Sequence, residues 1–283
     1  MAIDPSSVGQ STAPYTFRYD WKDVVLYALG IGAKRAEIDY LYEARGPKVY
    51  PTFGVIPTYP PLVELVGRAG GSFDNLVHGG QLLRVHRPLP PRAELFTVGT
   101  LRGIYDLKRF TQILVTTRTE SEGELLFETE WTILLIGVGQ FGGPPPPKAE
   151  KTSIPKGAEP RWSFRETTSP EQALLYRLTG DLNPLHADDE FARALGFSSG
   201  PILHGLCTFG YLGRAVILNQ CGGDGSRLGE LSAQFKKPLW PGEALRTDAY
   251  ELADGRLGLL SFAADRPEPV IGSAWARLRD RPV

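Results

Sequence analysis

The run Gly142-Gly143-Pro144-Pro-Pro-Pro147 divides a 283-residue chain into two parts of ~140 residues, each long enough to bury a core of its own. Proline fixes φ and lacks an N–H, so neither a helix nor a central strand continues through this run. With the charged, proline-dotted stretch up to Pro160 it reads as an extended linker. The flanking parts resemble each other. Val25-Leu-Tyr27-Ala-Leu29 matches Leu174-Leu-Tyr176-Arg-Leu178 at a lag of 176 − 27 = 149. Pro88-Leu-Pro-Pro91 matches Pro238-Leu-Trp-Pro241 at 238 − 88 = 150. One domain written twice follows, with an amino-terminal copy over 1–140, a linker over 141–160 and a carboxyl-terminal copy over 161–283. Two copies make a fused pair, not a solenoid.

The second copy shows its elements most clearly. Ser169-Pro170-Glu171 supplies a helix start, and Ala173, Leu174 and Leu178 form an apolar stripe that ends at Gly180. A short helix is expected from Asp188 to Gly196. A longer one follows Gly200-Pro-Ile-Leu-His204-Gly205, with Leu206, Phe209, Leu212 and Val216 at helical spacing. The period then changes to two, giving strands near 230–236, 244–252, 256–264 and 270–278. Strand-like segments near 111–118 and 125–136 end the first copy. Helix followed by antiparallel meander is an α+β pattern.

Bulk properties exclude several functions. Net charge is −1, so no global field recruits nucleic acid or an anionic membrane. Two cysteines, Cys207 and Cys221, make neither a disulfide framework nor a zinc-type CxxC, which favours a reducing, cytoplasmic setting. No signal peptide precedes the first copy, no apolar run reaches membrane-spanning length, and Arg-Pro-Val is not a peroxisomal Ser-Lys-Leu address.

Chemistry concentrates in Tyr176-Arg-Leu-Thr-Gly-Asp181-Leu-Asn183-Pro184-Leu-His186. Pro184 keeps Asn183 out of the α region, so these groups sit on irregular backbone at a helix end. A carboxylate and an imidazole can divide acid and base duties on one water, while an amide orients it. Asp and Asn are also ordinary turn residues, and taken singly each has a structural reading. The ordered string is far more specific.

That string, followed by Pro201-Ile-Leu-His-Gly205, resembles the hydratase 2 motif of the MaoC-like hot dog enzymes, which are (R)-specific enoyl-CoA hydratases. The first copy is similar to the family's amino-terminal repeat at Ala28-Leu-Gly-Ile-Gly32, Leu76-Val-His-Gly79 and Gly139-Gln-Phe-Gly-Gly143. The resemblance implies two tandem hot dog domains, each a helix wrapped by antiparallel sheet. It implies hydration of trans-2-enoyl-CoA to (3R)-3-hydroxyacyl-CoA and the reverse, with acyl-CoA and water as substrates and no cofactor. Asp181 and His186 become the catalytic pair, Asn183 their orienting partner, and Gly205 the oxyanion donor at a helix amino terminus. His78, Gly79, Lys108, His204 and Phe235 become candidate substrate contacts. Lys108 falls one position late for the family's Asp-Lys pair; His204 reads first as a helix-terminal hydrogen bonder and second as a substrate contact, and Phe235 is equally a core residue. Lys236 and Lys237 could meet CoA phosphates, though paired lysines are more often merely solvated.

The duplication is an internal control. Aligning Tyr27 with Tyr176 sets Gly32 opposite Asp181 and Glu37 opposite His186; at a lag of 150, Val55 stands opposite Gly205. The first copy therefore lacks the dyad, and one active site per chain is expected. Pro57, Pro60 and Pro61 forbid an unbroken helix over 51–66, and by the resemblance this unwinding opens room for the acyl chain. Gly137-Val-Gly139-Gln-Phe-Gly142 satisfies GxGxxG, but prolines follow where a helix must start, so it reads as a linker turn. His86 shows no partner, Cys207 reads as a core thiol, and no His, Cys or acidic cluster has metal-ligand spacing. Rival readings are a dehydratase acting on carrier-protein-bound 3-hydroxyacyl groups, a hot dog thioesterase and a non-catalytic acyl-CoA module. Either a homodimer or a pseudo-dimeric monomer suits two fused copies.

Overall fold

The computed structural model describes residues 2–72, 76–147, 152, 154–155, 157–263 and 266–280. The first copy contributes β1 (Tyr15–Tyr19), α1 (Trp21–Gly30), α2 (Tyr59–Arg68), β2 (Leu76–Val85), β3 (Ala93–Asp106), β4 (Phe110–Ser121) and β5 (Glu124–Ile136). The second contributes β6 (Trp162–Thr167), α3 (Gln172–Tyr176), α4 (Asp189–Ala194), α5 (Gly205–Gln220), β7 (Leu228–Phe235), β8 (Ala244–Glu251), β9 (Leu257–Ala263) and β10 (Pro269–Leu278). All ten strands form one antiparallel sheet in the order β1-β3-β4-β5-β2-β7-β10-β9-β8-β6. The order is the same read outward from its centre in either direction: β2 and β7 meet in the middle, β1 and β6 are the edges. The central join runs from Gly80↔Gln234 to Arg84↔Glu230. This is a double hot dog, as the resemblance implied.

Helix α5 is buried from Leu206 through Ile217, an apolar cylinder with sheet on one side and the first copy on the other. Small residues let the neighbours close in. A Cβ at Gly210 would collide with Ile31, and one at Gly213 would lie 2.7 Å from Thr52 Cγ2. Its counterpart in the first copy is broken. Pro51–Thr58 forms a 3-10 segment, and α2 starts only at Tyr59, with Pro60 and Pro61 in its first turn, where missing N–H groups cost nothing.

Two expectations need correction. The helix over 169–180 shrinks to α3 and a 3-10 turn at Arg177–Thr179, closed by Gly180 at φ +134°. Of its expected apolar stripe only Ala173 is buried. Leu174 is 50 % and Leu178 59 % exposed, whereas Gln172, Ala173 and Tyr176 are buried. Gln172 decides this, because its amide donates to Leu29 O and Gly30 O and accepts from Tyr211 Oη at 2.8 Å. Secondly, His86 has a partner: Nε2 lies 3.0 Å from Glu128 Oε2 across β2 and β5.

The GxGxxG segment is a turn, tied down by Asp106. The Asp106 carboxylate accepts the backbone N–H groups of Lys108, Gln140 and Gly142, which hold its pKa below the usual carboxylate range. Much of the expected linker, 148–151, 153 and 156, lies outside the described residues, as does the terminal Arg-Pro-Val. Among the described residues no helix is long and apolar enough to cross a membrane.

Candidate active site

The motif folds as a chain of short-range caps. Asp181 Oδ1 accepts the Asn183 N–H at 3.2 Å, and Asn183 Oδ1 accepts that of Leu185 at 3.0 Å. Asn183 sits at φ −52°, ψ 125°, outside the α region as Pro184 demands. The 3-10 turn Pro184–His186 then delivers the imidazole, 8 % exposed.

His186 Nδ1 lies 2.8 Å from Ile202 O. A carbonyl only accepts, so Nδ1 carries the proton and Nε2 keeps a free lone pair. Burial lowers the pKa of His186, partly opposed by the Asp181 charge and the bond to Ile202, so the ring is neutral at neutral pH. His204 stacks on it with centroids 3.7 Å apart and planes 27° from parallel. His204 is 1 % exposed, and its Nε2 lies 3.2 Å from the backbone oxygen of Asp181. Burial first, then the neighbouring His186, hold His204 well below the usual imidazole pKa. His204 thus touches both Asp181 and His186 from the N-cap position of α5, without a side-chain capping hydrogen bond to that helix.

Asp181, Asn183, His186 and Gly205 all border one cavity of about 540 Å³, together with His78 and Phe235. Gly205 opens α5, where backbone N–H groups lack helical acceptors. A Cβ there would meet only the Phe235 ring, at an ordinary 3.5 Å. No protein atom demands glycine at this point; the space belongs to the cavity. Gly79, Lys108 and His204 do not border it. Gly79 packs at a β2 bulge against Leu134 and Thr132 O, and Lys108 forms the Asp106 turn.

The second copy adds apolar walls such as Phe197, Leu206 and Val270, and the first copy closes the cavity with Tyr59, Leu62, Trp131 and Ile133, first-copy residues not singled out from sequence. His78 stacks on Trp131 at 4.8 Å and lies 4.8 Å from Phe235; burial pushes its pKa down to about 4. Burial, and after it the Asp181 charge, raise the Tyr59 phenol to about 12. Lys236 and Lys237 border the cavity as well.

One sequence reading is corrected here. Asp181, His186 and His204 present ligand-type atoms within 4.8 Å of one another, a grouping hidden from linear spacing because His204 arrives on a different element. The near-parallel stack does not aim two in-plane lone pairs at one ion, and each ring already spends a nitrogen on a carbonyl. The cluster suits a water or an alcohol better than a tetrahedral metal.

Residues 17–137 match the model of the MFE-2 hydratase 2 N-terminal domain, and residues 152–256 that of the MaoC like domain. The chain is 36 % identical over 269 residues to 3-hydroxyacyl-thioester dehydratase Y of Mycobacterium tuberculosis, covering 90 % of each protein. The chain belongs to the MaoC-like hydratase 2 family. Within that family it is also 37 % identical over 256 residues to the Arabidopsis thaliana protein named enoyl-CoA hydratase 2, peroxisomal, covering 83 % of this chain and 82 % of that one. Two solved family structures superpose closely. A MaoC-like dehydratase from Phytophthora capsici gives TM-score 0.86 at 26 % identity over 98 % of both chains. The full-length peroxisomal multifunctional enzyme type 2 of Drosophila melanogaster gives 0.82 at 30 %, over 95 % of this chain and 48 % of that one.

Proposed function

We propose that this family member is a hydro-lyase that adds water to trans-2-enoyl-CoA, giving (3R)-3-hydroxyacyl-CoA, and catalyses the reverse dehydration. The observation that carries this reading is the neutral His186 ring, with Nε2 free, sharing one cavity with Asp181 and the amino end of α5. The names of relatives such as enoyl-CoA hydratase 2 support it.

In this reading the water oxygen bonds to C3 as one member of the dyad takes a proton from it, and the other delivers a proton to C2 on the same face. The two groups act as a coupled pair. Negative charge gathers on the thioester oxygen, opposite the Gly205 N–H, where one aimed donor is worth about 3 kcal/mol. Asn183 orients the water. The acyl chain lies against Tyr59, Leu62 and Trp131 of the first copy, and the CoA phosphates face Lys236 and Lys237. Acid–base groups suffice for this chemistry, so the reading assigns no metal and no organic cofactor. One chain carries the complete site, so a pseudo-dimeric monomer can work alone. Buried free Cys207 and Cys221 suit a reducing cytoplasm.

Loss of the conjugated enoyl-thioester ultraviolet band, followed for CoA and carrier-protein substrates of several chain lengths, tests the reading. Chiral analysis should return the (3R) alcohol. No loss with any of them, or the (3S) product, would overturn it.

A further inference from the structure

We propose that a second cavity, meeting the first only at His186, is the passage by which the reacting water enters and leaves while the acyl thioester stays bound. The inference rests on the hydratase reading above. This cavity encloses about 490 Å³ and is bordered by His186, Ala187 and Ser199 on one side and by Trp240, Glu243 and Arg266 on the other. His186 is the one residue that borders both spaces.

Stoichiometry makes a second passage useful. Each hydration consumes one water: a C3–O bond forms, a water O–H bond breaks, and the dyad moves the proton to C2. Each dehydration breaks C3–O and C2–H and releases that water. A thioester with its carbonyl at Gly205 and its chain against Tyr59 and Trp131 fills the first cavity. Water then has to wait for the thioester to leave, or reach the dyad from elsewhere. His186 is the group that holds it, and the second space reaches His186 without crossing the acyl chain.

The chemistry of the walls favours water over an organic ligand. Arg266 Nη2 donates to Glu243 Oε2 at 2.8 Å and to Pro238 O at 3.0 Å, with its guanidinium 5.3 Å over the Trp240 ring. Arginine and glutamate cancel, so the cavity offers no net charge to an anion such as a CoA phosphate. Both charges and the Ser199 hydroxyl remain available to hydrogen-bond water. The walls are also set in advance. Trp240 donates its backbone N–H to Glu243 at 2.8 Å and its indole N–H to Gly200 O at 3.1 Å, and Pro170, Pro201 and Pro241 stiffen the rest. At ~30 Å³ per molecule the space holds roughly sixteen waters.

The test compares two exchange rates at chemical equilibrium, using the longest enoyl-CoA accepted, so that thioester release is slow. One is transfer of ¹⁸O from labelled water into the 3-hydroxyl; the other is transfer of carbon label between enoyl and hydroxyacyl pools. Oxygen exchange should outrun carbon exchange several-fold in the parent protein. Ser199→Trp and, separately, Leu174→Trp fill the cavity from exposed positions and leave the dyad and the fold intact. Each should bring the two rates together and lower kcat, with KM for the thioester unchanged. Equal rates in the parent overturn the proposal, since water and thioester then leave together. A raised KM with an unaltered ratio also overturns it, because the cavity then holds part of the thioester. If no oxygen exchanges at all, the hydratase reading itself fails.

Discussion

The two copies place equivalent residues against the same helix and use them for opposite ends. In the second copy, Asp181 and His186 face a cavity beside the start of α5. In the first, their counterparts Gly32 and Glu37 face the flank of α5 and are consumed by packing. Gly32 adopts φ +80°, and a Cβ there would collide with the Tyr211 phenol. Glu37 takes a two-pronged hydrogen bond from Arg214, with Nε to Oε2 at 2.6 Å and Nη2 to Oε1 at 2.7 Å. Tyr50 and the Lys34 N–H also donate to Glu37, and Glu166 binds the third arm of Arg214. The position equivalent to His186 thus serves as a buried brace between the copies. Even the aligned tyrosines meet: Tyr27 and Tyr176 lie with ring centroids 6.1 Å apart at the interface of the copies.

The sharpest way to break this contrast is to exchange the roles. Asp181→Ala or His186→Ala should lower kcat by about 10³-fold with a much smaller change in KM, because an acid–base group acts in the transition state. Gly32→Asp should restore nothing when added to Asp181→Ala. Steady-state kinetics on enoyl-CoA reads both, and recovery in the double variant would refute the division of labour.

Next in size is the brace. Glu37→Ala leaves Arg214, 2 % exposed, with one of its two carboxylate partners. Breaking a buried pair by removing one member typically costs about 3–5 kcal/mol, whereas replacing all members by apolar groups can be near neutral. Thermal unfolding should show a large loss in Tm for Glu37→Ala and recovery when Arg214→Leu and Glu166→Leu are added. A small loss in the single variant would mean that the fork is ornamental. At Asp181, by contrast, the half-buried carboxylate has solvent access through the cavity, and its removal should barely move Tm.

These contrasts explain what sequence could and could not show. The irregular segment that carries Asp181 and His186, the helix starts at Asp188 and Gly205 and the meander of the second copy were legible because each rests on local rules. Strands β2 and β3 were not, since Gly79-Gly80 interrupts the pattern of β2 and Gly99 and Gly103 that of β3. Tyr59 and Trp131 drew no notice in the sequence, because a cavity wall and a core position share one pattern. The Glu37–Arg214 fork joins residues 177 apart, beyond any periodicity. His204 stood next to the oxyanion glycine, yet its stack on His186 depends on how two separate segments cross.

A smaller, graded effect separates the copies by pH. His186 must be neutral with Nε2 open, so kcat/KM should hold down to the ordinary imidazole value near pH 6.5 and fall only below it. Stability has the same sign. His78 titrates near 4 when folded and near 6.5 when unfolded, so the unfolded chain binds the extra proton first. Its contribution is fully present above pH 6.5 and is lost by about 1.4 kcal/mol per unit as pH falls to 4. His78→Phe should flatten part of that slope in denaturant titrations. An unchanged slope would show that the stack on Trp131 does not hold the ring neutral.

The smallest effect concerns the cations at the ends of the two central strands. At the same lag of 150, Lys236 and Lys237 correspond to His86 and Arg87. The first-copy pair is tied to its own sheet, His86 to Glu128 at 3.0 Å and Arg87 to Glu124 at 2.7 Å. In the second copy Lys237 pairs with Glu268 at 2.9 Å, whereas among the described residues Lys236 Nζ meets the neutral amide of Gln234 at 2.6 Å and no carboxylate. With net charge −1 there is no general field for an anion, so any CoA contact would fall to a local cation such as Lys236, which has no acidic partner among the described residues. Exposed pairs contribute roughly 0.2–1 kcal/mol, so Lys236→Ala should raise KM by up to about fivefold at low salt and leave kcat alone. The difference should fade as ionic strength shortens the screening length. Lys237→Ala should do less, because Glu268 already neutralises that charge, and an equal effect of both variants would show that the Glu268 pairing opens when CoA binds.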